Sequence, residues 1–232
     1  MKKIMTLLAV ALLGTAAVSA QSAAELAKQQ RELNKINMEM LNAKPSKDAK
    51  KQAKQLKKDG WVVPAGSSDM AKQITRAQLM EQELMADKDG NPMPRYTLIT
   101  AIVTSGTASA GYAAARAQAQ LEIASMLETK VAAGMQGKLD NAQGSAIDAT
   151  TVDKFNQRSK AIFNNTLSNM TTVLHIYRVL PNNNYQVQVR IAYDKKVMQA
   201  KLKRQLQEQL EKEGDEFGEE VDDIIDNALK EI

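Results

Sequence analysis

One histidine, His175, and no cysteine bound the chemistry this chain of 232 residues can assemble. Zinc sites draw on cysteine and histidine, and a nucleophilic triad needs a histidine beside its nucleophile. Disulfides and thiol reactivity are excluded outright. A lone histidine inside a strand-like pattern reads as a packing or surface residue. Carboxylates are plentiful, yet they sit in an acidic C-terminal stretch and on helix surfaces, where no apolar pocket is predicted to raise one pKa for acid catalysis. The sequence therefore offers no catalytic, cofactor-binding or metal-ligating residue. The expectation is a protein that is not an enzyme and carries no cofactor.

Two stretches begin like ligand loops. In SGTASAGYAAAR, Ser105 to Arg116, Gly106 and Gly111 have the spacing of the phosphate loop G-x-x-x-x-G-K-[ST]. Tyr112 and Ala113 stand where the lysine and the magnesium-binding hydroxyl belong, so the stretch reads as a tight strand-to-helix connection with Ser109 as the helix cap. Asp87-Lys88-Asp89-Gly90-Asn91-Pro92 starts like a calcium loop, which needs glycine at its sixth position and glutamate at its twelfth. Those positions hold Pro92 and Leu98, and an ordinary turn follows.

The elements that would position any such residues begin after a leader. Lys2-Lys3, an apolar run from Ile4 to Val18 and Val18-Ser19-Ala20 follow the charged, apolar, small-residue order of a secretory signal. Residues 1–20 are read as a signal peptide, and the mature chain starts at Gln21. The expected location is outside the cytoplasm, periplasmic or associated with the outer membrane. No later run is long and apolar enough to span a bilayer.

Residues 21–60 are predicted to form an N-terminal helical extension. Leu26, Leu33, Ile36 and Met40 recur at near-heptad, coiled-coil-like spacing up to Pro45, and a lysine-rich helix runs from Lys47 to Lys58 with Ala49, Ala53 and Leu56 on its apolar side. Trp61 reads as a core anchor. Residues 61–196 are predicted to form an α+β core. Ser67-Ser68-Asp69 caps a helix to about Ala86 with Met70, Ile74, Ala77 and Leu84 along one stripe, and Arg95 to Ser105 is a covered strand. A helix then runs to about Gly134, with Ala113, Ala117, Leu121, Ala124, Leu127 and Val131 on one face. Small residues there let the helix lie close to the sheet. A loop at 136–149 leads to a second helix, roughly Thr151 to Ser168.

Thr171 to Leu180 and Tyr185 to Tyr193 are strands joined by Pro181-Asn182-Asn183-Asn184. In the last strand Tyr185, Val187, Val189, Ile191 and Tyr193 alternate with Gln186, Gln188 and Arg190, which predicts a sheet with one apolar face. Residues 197–232 are read as a C-terminal helical extension. Met198, Leu202, Leu206 and Leu210 form a thin stripe after a cap at Asp194, and Val221, Ile224, Ile225, Ala228 and Leu229 lie on a final short helix with an acidic back.

Charge is unevenly spread. Ser22 to Gly60 holds ten Lys or Arg against five Asp or Glu, whereas Gln205 to Ile232 holds two against eleven. The lysine helix and the acidic stretch Asp215–Asp226 are expected to pair within or between chains. Nucleic-acid binding is not indicated, since aromatics are 4% of residues and the lysine helix has none.

The order strand, alanine-rich helix, helix, hairpin, with ARAQAQLEIASMLETKV and YQVQVRIAYDK, resembles a family of small bacterial envelope lipoproteins, some of which build disks around flagellar motors. The likeness covers about Trp61 to Lys196 and rests on small and apolar patterning. It implies an α+β sandwich of three main strands and two long helices, generally without catalysis, and supplies no site residue. The chain departs from the family in having no cysteine for lipid attachment. The expected role is a non-enzymatic exported envelope protein acting by self-association or by scaffolding other envelope proteins. The alternative is a binding module that meets anionic lipid or cell-wall polysaccharide through the lysine-rich helix.

Overall fold

A computed structural model describes Lys28, Arg31, Lys35 and residues 44–141, 170–213 and 218–232. The first three belong to a unit spanning Met1–Asn42 and are helical and exposed. All other described residues lie in a second unit, Ala43–Ile232. The signal-like residues 1–20, the rest of the first predicted helix and the predicted helix at 151–168 fall outside the described residues.

Within the second unit the described elements are α1 (Lys47–Lys58), α2 (Met70–Gln82), β1 (Leu84–Ala86), β2 (Pro92–Pro94), β3 (Tyr96–Ser105), α3 (Ala108–Asn141), β4 (Thr171–Val179), β5 (Tyr185–Asp194), α4 (Lys195–Glu213) and α5 (Gly218–Lys230). The fold is α+β, as expected. Its main sheet is antiparallel in the order β3-β5-β4, with β3 and β5 paired from Tyr96↔Asp194 to Ser105↔Tyr185. The reversal into β5 places Asn183 at φ 60°, and Leu180 N–H donates to the Asn184 carbonyl at 2.7 Å. Asparagine tolerates that left-handed backbone better than most residues.

Val187, Val189, Ile191 and Tyr193 are buried in one cluster with Ala115, Ala119 and Ile123 of α3, which is what the strict alternation in β5 predicts. The opposite face is not simply solvated. Leu174 and Ile176 of β4 lie opposite Arg190 and Gln188 of β5, and they are buried with Ala49 and Ala53 of α1, with Trp61, and with Met70, Ala71 and Ile74 of α2. The sheet is therefore covered on both sides around β4, a correction to the one-sided expectation. Toward the far end of β3 that second face stays open: Thr100, Ile102 and Thr104 are exposed, Ile102 by 50%. The expected full cover of this strand fails because α1 and α2 pack beside β4, at the other edge.

The predicted stripe is buried as expected at Ala124, Leu127 and Val131, whereas in the first turns the small residues take a different phase. Ala115, Ala119, Ile123, Ala124, Leu127 and Val131 are the buried residues of α3, while Ala113, Ala117 and Leu121 face solvent. The phase is set at the first turn. Gly111 lies directly over Val187, so close that a Cβ there would sit 2.5 Å from Val187 Cγ2. Counting on in steps of four from Gly111 gives Ala115, Ala119 and Ile123. Ten alanines and glycines in the run 106–124 leave several faces equally small, so patterning alone could not choose among them.

Three boundaries moved. The helix after Asp69 ends at Gln82, because Leu84–Ala86 pairs with Pro92–Pro94 across the Asp87 turn and its outer residue Leu84 is exposed. Thr107, not Ser109, caps α3: its Oγ1 accepts from Ala110 N–H at 3.2 Å. And α3 continues through Gly134 and Gly137 to Asn141, overrunning the loop expected from residue 136. Gly134 is used for helix contact instead, since a Cβ there would meet Ile224 Cγ2 of α5 at 3.1 Å.

That contact also redraws the domain division. Met198 and Leu202 of α4 and Ile224, Ile225, Ala228 and Leu229 of α5 are buried in the same cluster as α3 and β5. Met198 and Leu202 of the predicted α4 stripe, with the described part of α5, thus contribute to the core rather than extending from it, while the side chains of Leu206 and Leu210 lie outside the described residues. At the other end, α1 packs through Ala49 and Ala53. Its predicted bounds hold at both ends. Ser46 Oγ accepts from Ala49 N–H at 3.0 Å, and Gly60, at φ 85°, closes the C-terminus while Trp61 N–H donates to the Leu56 carbonyl at 2.9 Å.

Candidate functional site

The groups able to do chemistry gather in three places. The first is a buried ion cluster where β3 begins and β5 ends. Arg95 is 6% exposed and Asp194 8%. The Arg95 guanidinium donates from Nε and Nη2 to Asp194 Oδ2 at 3.2 and 3.0 Å and from Nη1 to Glu83 Oε1 at 2.7 Å. Burial works against its charge, but the bonds and the field of Asp194 outweigh that and hold its pKa above the ordinary value. Asp194 Oδ1 meanwhile accepts from Val197 N–H at 3.2 Å, the capping role the sequence predicts. One carboxylate thus ties a strand start, a strand end and a helix start together. Next to it Lys195 is buried, and burial lowers its pKa. Sequence reasoning singled out neither Arg95 nor Lys195; the visible signal was only that Arg95 follows Pro94 at a strand entrance.

The second place is the seat of α5. Asp87 Oδ1 accepts from the backbone N–H of Asp89 and Asn91 at 2.9 and 2.8 Å, and Asp87 Oδ2 accepts from Lys230 Nζ at 2.7 Å. The stretch that begins like a calcium loop is therefore a turn that anchors a helix. Lys88 reaches Asp223 at 2.7 Å, Lys203 reaches Asp226 at 2.8 Å, and Lys130 of α3 reaches Glu231 at 2.7 Å. A cleft of about 20 Å³ lies between Asp87, Lys88, Asp226 and Lys230, room for about one water. Asp223 and Asp226, in the acidic stretch expected to pair with the lysine helix within or between chains, are engaged by Lys88 and Lys203. Asp215 is outside the described residues.

Asp87 carries a testable pH dependence. The bond from Lys230 is the largest influence on its carboxyl, and the two turn amides add to it, bringing the pKa down to about 2 against desolvation. A carboxylate with a depressed folded pKa adds stability above its unfolded value near 4, and that stability disappears as pH falls through the folded value. The thermal midpoint of the wild type should therefore exceed that of Asp87→Asn by a constant margin above about pH 5. The margin should close as pH approaches 2. A margin independent of pH would show that the ionised carboxylate is not what holds α5.

The third place is the lysine helix. Lys47, Lys50, Lys51, Lys54 and Lys58 are all exposed, while Lys57 pairs with Asp69 at 3.3 Å. Trp61 is buried, as predicted, with the Arg178 guanidinium 4.9 Å above its ring.

The remaining sequence candidates are structural. His175 is half-buried, stacks on Tyr112 with ring centroids 4.2 Å apart, and has its pKa lowered by burial. Tyr112, from the phosphate-loop-like stretch, shares a hydrogen bond with Thr172 at 3.2 Å. In that stretch Gly111 is spent on packing against Val187, and its N–H donates to the Thr107 carbonyl at 3.0 Å. Among the described residues no group of three or more His, Asp or Glu is placed to hold a metal ion, and no helix is long and apolar enough to cross a membrane. Compared with protein-family models, curated proteins and solved structures, the chain has no significant match in any of the three.

Proposed function

We propose that this chain is a non-enzymatic exported protein of the cell envelope that works as a scaffold, associating with itself or with other envelope proteins. The observation that carries the reading is how charge is divided. Ion pairs across elements, Arg95 with Asp194 and Glu83, Lys230 with Asp87, Lys88 with Asp223 and Lys203 with Asp226, fix hairpin, sheet and terminal helices to one another. The lysines of α1 point outward. Such an arrangement suits a body that presents a contact surface better than one that turns over a substrate. The signal-like leader and the family resemblance point the same way.

Sizing of the purified protein over a range of concentration and salt tests the reading. A mass above that of the monomer, falling as salt screens the charged surface, is expected. A monomer under every condition, with no envelope protein recovered after cross-linking in cells, would remove it.

A further inference from the structure

We infer that the outer face of α1 is a docking surface for an anionic lipid bilayer. The inference goes beyond the scaffold reading and does not depend on it. At 3.6 residues per turn, Lys47, Lys50, Lys51, Lys54 and Lys58 fall within one arc of about 100°, along about 16 Å of helix. The arc lies opposite Ala49 and Ala53, which are buried against α2 and β4. Each of the five lysines is exposed. Among the described residues none of the five forms an ion pair: Lys57 takes Asp69, Asp59 at the helix C-terminus accepts from Gln55, and Asp48 in the first turn falls about 60° outside the lysine arc. Among the described acidic residues of the C-terminal stretch, Asp223 and Asp226 are engaged elsewhere, by Lys88 and Lys203.

Five lysines in a row, with Asp48 alone as an acid within the helix, are complementary to an external polyanion, and shape selects which one. Because α1 buries its apolar side in its own protein, the lysines form a convex crest, without walls among the described residues. Recognition of a saccharide chain draws on concave sites and aromatic platforms. The crest has neither, since Trp61, the one aromatic residue beside it in sequence, is buried under Arg178. A plane of phosphate headgroups needs only a row of flexible ammonium groups at its surface. The contact is electrostatic, without insertion of the helix, and each lysine should strengthen binding roughly fivefold at low salt.

Co-sedimentation of the purified protein with vesicles of mixed phosphatidylglycerol and phosphatidylcholine, against vesicles of phosphatidylcholine alone, tests this. Binding to the anionic vesicles only is expected, and it should be lost at high salt. The triple variant Lys50→Gln, Lys51→Gln, Lys54→Gln should bind about a hundredfold more weakly with an unchanged thermal midpoint, and the corresponding triple arginine variant should bind like the wild type. Equal binding to both vesicles, or no loss in the glutamine variant, would overturn the inference. So would retention on acidic cell-wall polysaccharide without vesicle binding. A monomer that still binds anionic vesicles would leave it standing while removing self-association.

Discussion

Replacing Arg95 by alanine should cost about 3–5 kcal/mol of folding stability, read as a lowered urea midpoint. The two carboxylates it serves do not become free in the variant. Asp194 is 8% exposed and would be left as a buried charge with its principal partner gone. It must then either remain ionised in a poor solvent or take up a proton and weaken its cap on Val197. Arg95→Lys should fall between the variant and the wild type, because one ammonium cannot fork to Asp194 and Glu83 as the guanidinium does. A loss below about 1 kcal/mol for Arg95→Ala, the range of exposed pairs, would mean the cluster is solvated and does not fasten β3 to β5.

The second large effect belongs to the seam between α3 and the sheet. Gly111→Ala should destabilise by about 1–3 kcal/mol, although alanine is the better helix former by about 1 kcal/mol. Its Cβ would lie 2.5 Å from Val187 Cγ2 and 3.2 Å from Val187 Cβ, and Val187 is itself fully buried, so neither partner can give way cheaply. Ala115→Leu and Ala119→Leu should cost at least as much, both positions being fully buried. Ala117→Leu should change stability by no more than about 0.5 kcal/mol, since Ala117 faces solvent. Urea unfolding of the four variants separates the two possible phases of the helix. A large cost at Ala117 with none at Ala115 would put the seam on the wrong side.

That comparison also shows which parts of the fold the sequence could express. Strand β5 was legible residue by residue, because an alternation of valines and isoleucines with glutamines and arginine has only one solution on a pleated surface. Helix α1 was equally clear: its lysines and alanines divide it into two unlike faces, and its ends carry Ser46 and Gly60. The alanine-rich helix carried no such contrast. Its phase is set by a glycine meeting one valine far away in sequence, a tertiary fact with no local signature. The same holds for Gly134. Taken alone it reads as a helix terminator, whereas Ile224 uses it as a seat. The lysine face was visible as a cluster from the start. What patterning could not supply is that Asp223 and Asp226 are already engaged, since Lys88 and Lys203 are remote from them in sequence. The Arg95 cluster likewise unites residues 83, 95 and 194, which no short motif joins.

The strand order β3-β5-β4 bears on how the molecule comes into being. The middle strand is the last of the three to be synthesised, so neither edge strand has its neighbour until the chain has reached Asp194. β4 waits only for a four-residue reversal, but β3 must wait across the whole of α3 and the segment beyond it, a closure that is entropically slow. Until then Ile99, Ala101 and Val103 have no strand to cover them. A chain emerging from its N-terminus carries that exposed ribbon for the length of everything between β3 and β5, which makes this interval the stage at which protection by a chaperone matters most.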